Sequence, residues 1–116
     1  MRILALVFGS LLAVVGILHF VRPAFFVRQV PHYVPHAAAA VLLTGIAEVA
    51  FGLALIANWQ PRAAGGAAAA LITSYLPVHI DSFRRAPTNA ARRKEALRFP
   101  VNAVYVAIAM LLAIGG

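Results

Sequence analysis

The sequence predicts an all-α integral membrane protein: a four-helix, antiparallel bundle forming a single transmembrane domain over residues 1–116. Three observations predict it. The chain is 63% hydrophobic and only 11% charged, under half of the about 25% that covers a soluble domain. Its apolar residues fall into four runs, at about 3–21, 37–59, 63–80 and 99–115, each near the roughly 20 residues that a helix needs to cross a bilayer. It contains no cysteine, which excludes a disulfide-stapled secreted module and thiol redox chemistry. So apolar a chain also collapses rather than staying disordered, and four spans leave no length for a separate soluble domain.

The first run, 3–21, lacks a small-x-small cleavage pattern and is read as a retained span rather than a secretory signal. Arg22 and Pro23 end it, because proline cannot continue the helical hydrogen-bond ladder. The connection from Arg22 to His36 carries Pro23, Pro31 and Pro35 together with Phe25, Phe26 and Tyr33. Prolines order its turns and aromatic rings favour the headgroup level. An ordered loop in the membrane interface is therefore expected, with Phe25, Phe26 and Tyr33 as candidates for contact with a partner.

The second and third runs are separated only by Asn58 to Arg62, which forces a hairpin. Between the third and fourth runs, Asp81 to Arg98 forms a basic loop holding Arg84, Arg85, Arg92, Arg93, Lys94 and Arg98 against Asp81 and Glu95. Within it Thr88 is placed to cap a short, shallow helix through Ala90 to Leu97. Four spans put the first and third loops on one side with eight basic residues, against Arg2 and Arg62 on the other. The positive-inside rule then places loops 1 and 3 in the cytoplasm and both termini outside. The basic loop is read as an orientation signal attracted to anionic lipid. No aromatic stacking surface interleaves its arginines, so no nucleic acid is expected as a partner.

Inside a bilayer helices associate by close backbone approach, so small residues at helical spacing mark contact faces. Ala5, Gly9, Ala13 and Gly16 make such a stripe that continues to His19, and Gly45, Glu48 and Gly52 make another. Gly66, Ala70, Thr73 and Pro77 are expected to do the same in the third span, with Tyr75 and His79 on an adjacent face. The fourth opens with Pro100, Asn102 and Tyr105 and continues to Ala109.

Glu48 lies about eleven residues into its span, roughly 16 Å deep and near the midplane. A carboxylate there is costly, so it is protonated or faces a partner or a wet cavity. Two roles remain open for it: a ligand-binding or proton-handling group, or a structural one hydrogen-bonded to Tyr75, Thr44 or a backbone carbonyl. His19, His79 and Asn102 sit near the span ends that face loops 1 and 3, and Arg98 sits at the rim. Depth counting separates His19 from Glu48, which predicts a funnel with the histidines and Asn102 at its mouth and Glu48 at its bottom. His32 and His36 are four apart but interrupted by Pro35, and no thiol or second acid lies near, so no metal site is expected. Ser10, Ser74 and Ser82 lack a base at useful spacing, and no catalytic centre is expected.

These residues also carry a resemblance. Gly16, His19 and Phe20 followed by Pro23, Phe26, Pro31 and Pro35, then Thr44, Gly45, Glu48 and Gly52, resemble the DoxX-like family of small bacterial membrane proteins. The segment Tyr75 to His79 resembles that family's aromatic-Pro-x-Asn element and Arg98 to Asn102 its Arg-x-Pro-x-Gln element, with His79 in place of Asn and Asn102 in place of Gln. The resemblance implies a multi-pass protein of the bacterial inner membrane that serves redox enzymes. The reading that follows is a non-catalytic membrane subunit binding a hydrophobic small molecule, quinone or lipid, or a redox-complex protein partner, and forming homo-oligomers if required. A proton-coupled transporter or channel and a membrane assembly factor are the alternatives.

Overall fold

In the computed structural model, which describes residues 1–115, the chain is all-α, and among the described residues there is no strand. The helices are α1 (Arg2–Val21), α2 (Pro23–Val27), α3 (Ala37–Ile56), α4 (Pro61–Thr73), α5 (Leu76–Arg85), α6 (Asn89–Ala96) and α7 (Arg98–Gly115). Four stretches are long and apolar enough to cross a membrane: α1, α3, α4 with α5, and α6 with α7.

Helix ends follow local chemistry. α1 stops at Val21, and Pro23 opens α2 at its first turn, where a missing N–H costs nothing. α3 ends at Ile56, three residues short of the apolar run. Asn58 there takes a left-handed conformation (φ 55°), its N–H donating to Leu55 O and that of Trp59 to Ala54 O at 2.8 Å. That is a Schellman ending with asparagine in the position usually held by glycine. The guanidinium of Arg2 adds a second cap, Nη1 donating to Leu55 O at 2.7 Å and Nη2 to Ile56 O. A cation on terminal carbonyls also complements the helix dipole.

The third apolar run is not one helix. α4 ends at Thr73, and α5 begins after the turn at Ser74 and Tyr75, with Pro77 in its first turn. A proline at 77 clashes with the carbonyl four residues back, at Thr73, and cannot donate to it. The expected basic loop from 81 to 98 is likewise mostly helical: α5 runs on to Arg85, and only Ala86, Pro87 and Thr88 separate it from α6. Thr88 caps α6, its Oγ1 accepting from Ala91 N at 3.0 Å.

α1 packs chiefly on α3, and α4 on α7, with α3 also against α4; α1 and α7 meet sparsely. The stripes expected on α1 and α3 are buried: Ala5, Gly9, Ala13, Gly16 and His19 on one, Gly45, Glu48 and Gly52 on the other. The approach is as close as glycine allows, since a Cβ on Gly9 would lie 2.7 Å from Gly52 O and one on Gly52 would lie 2.5 Å from Gly9 O. On α4 the expected stripe is corrected. The buried face is Ala64, Gly65, Ala68, Ala69 and Ile72, while Ala70, Thr73 and Pro77 are exposed. The eight residues from Ala63 to Ala70 are six alanines and two glycines, so side-chain volume hardly distinguishes one face from the next. Leu55 and Leu112, both fully buried, close the core between the two helix pairs.

Candidate functional site

The glycine contacts bring α1 and α3 together in a register that descends α3 as it ascends α1, from Gly9 on Gly52 to Gly16 on Gly45. Helical side chains lean toward their own N-terminus. His19 therefore leans down α1, and Glu48 leans toward it along α3. The result is a separation of 3.4 Å between His19 Nδ1 and Glu48 Oε2, with both residues buried. This corrects the expected funnel: counting Cα depths ignores the lean of each side chain, so histidine and acid come to one level rather than to mouth and bottom.

His19 is held on every side. Its Nδ1 lies 2.8 Å from Val15 O, and since a carbonyl only accepts, Nδ1 carries the hydrogen and donates. The ring stacks on Phe26 at 3.9 Å between centroids and 17° between planes. Phe26 is thus partly buried against His19, while Phe25 and Tyr33 are exposed.

Glu48 is only 3% exposed, and its Oε2 has no hydrogen-bond partner. The Tyr75 hydroxyl neighbours both Glu48 and Thr44, is itself buried, and closes no hydrogen bond. Thr44 is occupied by its own helix, Oγ1 donating toward Ala40 O (2.9 Å) and Val41 O (3.1 Å). His79 Nδ1 is a third buried polar atom without a partner, its ring edge-on to Phe99. Asn102 is satisfied, Nδ2 donating to Ile72 O at 2.9 Å near the end of α4. Arg98 donates from Nη1 to Gln29 Oε1 at 2.6 Å, and its Nε stands 3.1 Å from Glu95 Oε2. Through Gln29 it ties the first connection to α7.

Apart from Phe99 and Glu95, these residues line one cavity of about 740 Å³. The structure brings His19, Glu48, Tyr75, His79, Arg98 and Asn102 around it, together with Phe25, Phe26 and Tyr33 of the first connection. The break between α4 and α5 is what turns Tyr75 and His79 toward it. Three further contributors carried no usable signal in the sequence: Gln29 is a lone polar residue in a loop, and Phe8 and Val41 are ordinary apolar positions. An apolar chamber with a free carboxyl oxygen, a phenol and an imidazole can grip a polar head by hydrogen bonds or pass a proton. Among the described residues no three His, Cys, Asp or Glu side chains converge as a metal ion would require.

A family model described as Domain of unknown function (DUF8561) matches residues 8–113. This corrects the DoxX-like resemblance, because the match is to a different family and no DoxX family matches. Small residues, scattered prolines and one buried acid are what any close-packed, polar-lined helical bundle needs, so their order alone does not identify a lineage. The redox association and the bacterial inner membrane were implied by that resemblance alone, and the family match does not bear on them. No curated protein and no solved structure matches the chain.

Proposed function

The chain belongs to the DUF8561 family, and we propose that it is a multi-pass membrane protein that holds a hydrophobic small molecule, of the lipid or quinone kind, by its polar head in the Glu48 cavity. It has no catalytic centre of its own in this reading. The observation that carries it is the pairing of a 740 Å³, largely apolar-walled chamber with a buried carboxyl oxygen that nothing in the protein satisfies. A buried polar atom left without a partner costs about 1–3 kcal/mol, which a bound head group removes.

Membrane insertion rests on the four long apolar helices and on the large apolar side chains they turn outward, such as Ile3, Leu43 and Ile114. An antiparallel bundle is supported by four contacts. Gly9 meets Gly52 and Gly16 meets Gly45, Arg2 caps the far end of α3, and Arg85 Nη2 donates to Arg28 O between the first and third connections. With those two connections at one end, the basic residues gather there, and that end is assigned to the cytoplasm.

The test is mass spectrometry of gently purified protein and of its organic extract, comparing wild type with Glu48→Leu at matched helix content. A specific lipid or quinone near one per chain in wild type and lost from the variant is expected. Bulk lipid alone in both preparations overturns the reading.

A further inference from the structure

We infer that the cavity is loaded sideways from the bilayer, through a doorway between α1 and α7, by a single-tailed amphiphile whose small head carries a hydroxyl group. This rests on the reading of the Glu48 cavity as a ligand site.

The doorway follows from how the helices pair. α1 lies along α3 and α4 along α7, which leaves α1 and α7 as the sparsest neighbouring contact of the long helices. The two helices border the same cavity, α1 through Leu11 and Val15 and α7 through Val101 and Tyr105. All four line the cavity, yet they are 46%, 37%, 50% and 37% exposed. Side chains that are at once cavity wall and outer surface mark an opening, and these four are apolar or aromatic, as a lipid-facing opening requires. Phe8, 2% exposed with its ring 6.1 Å from that of Tyr105, forms the sill. A second groove of about 230 Å³ continues outside the opening along Val104 and Pro100, sharing Val101 and Tyr105 with the cavity. Toward the first connection Phe26 stacks on His19 and Arg98 bonds Gln29, while Phe25, Tyr33 and Leu97 line the cavity and are also exposed, so that end offers the competing route that the experiment below must exclude.

The head group follows from what is left unpaired. Glu48 Oε2, Tyr75 Oη and His79 Nδ1 are buried polar atoms without partners, all on the wall of the chamber. A hydroxyl donates and accepts together, so it serves a carboxyl oxygen and a phenol at once. A phosphate head would set an anion against Glu48, and a trimethylammonium head has no hydrogen to donate. The volume of about 740 Å³ lies in the range of sites that take one small molecule and has room for one tail and a small head.

The experiment uses the full chain in phosphatidylcholine/phosphatidylglycerol vesicles and hexadecanol bearing a mid-chain diazirine as the probe. Saturable photolabelling is expected, displaced by unlabelled hexadecanol, with adducts on α1 and α7 near Leu11 and Tyr105. Val101→Trp, narrowing the doorway, is expected to slow labelling at least five-fold, and Tyr105→Ala to speed it; Leu11→Trp repeats the narrowing from the opposite rim if Val101→Trp does not fold. Labelling that needs Glu48 but ignores all three rim variants, with adducts on the first connection, overturns the doorway while leaving the ligand site standing. Equal capture of the matching diazirine hydrocarbon overturns the hydroxyl head. No saturable labelling in any variant, Glu48→Leu included, overturns the site itself and the doorway with it.

Discussion

His19 Nδ1 stands 3.4 Å from Glu48 Oε2 while giving its hydrogen to Val15 O at 2.8 Å. The imidazole is thus anchored to its own helix and presented to the acid of the next, and the two buried groups form the polar seam between α1 and α3. Neighbours of this kind couple energetically. A double-mutant cycle of His19→Gln and Glu48→Gln, read by unfolding in mixed detergent micelles, is expected to give an interaction energy of roughly 0.5–3 kcal/mol. Strict additivity of the two single variants would show that the groups do not act on one another.

The glycines of α1 and α3 are expected to be far less tolerant than one glycine of α4. A Cβ on Gly52 would meet Gly9 O at 2.5 Å, whereas one on Gly66 meets nothing nearer than Ala113 Cβ at 3.9 Å. Gly52→Ala should lower stability by about 1–3 kcal/mol through overpacking. Gly66→Ala should leave it unchanged or raise it by up to about 1 kcal/mol, because alanine is the better helix former. Thermal unfolding of the two variants side by side checks the contrast.

Arg2 caps the last carbonyls of α3 from the start of α1. Arg2→Ala removes charged hydrogen bonds of a kind that contributes about 1.5–3 kcal/mol when buried. Since the guanidinium is partly exposed, an effect near or below the low end is expected. Hydrogen exchange should quicken at Ala57 to Trp59 and stay unchanged at Gly16; protection retained at the turn would show the cap to be idle.

Thr88 Oγ1 holds the first turn of α6. Thr88→Ala should cost that helix about 1 kcal/mol and fray it locally, while Thr88→Ser should restore protection. The readout is amide exchange over Asn89 to Arg93.

The chain has no cysteine, so single-cysteine variants report sidedness without background. In sealed vesicles, a membrane-impermeant maleimide should reach Arg84→Cys from one side only and Arg62→Cys from the other. Labelling of both from the same side would break the four-span arrangement.

Composition and charge by themselves determined that the chain is helical, that four of its stretches suit a bilayer, and where its basic residues lie, because hydropathy and charge are sums over sequence that no partner residue alters. The contact stripes of α1 and α3 were legible too. Their glycines stand among large apolar residues, so only one face permits close approach. α4 offered no such contrast, and its buried face lies on Gly65 and Ala68 rather than on Gly66 and Ala70. Residues grouped as candidates from their polarity do meet around one cavity, since polar groups in apolar helices have few places to go.

What the tertiary structure decided was distance. His19 and Glu48 are separated in depth when Cα positions are counted along two helices, and they touch because each side chain leans toward its own N-terminus on helices held in opposing register by glycine. The break at Ser74 and Tyr75, which opens the chamber, and the sparse α1–α7 seam, which leaves it a side opening, likewise arise from the pairing of whole helices. Local pattern specifies what each helix can bury; only packing specifies what it is buried against.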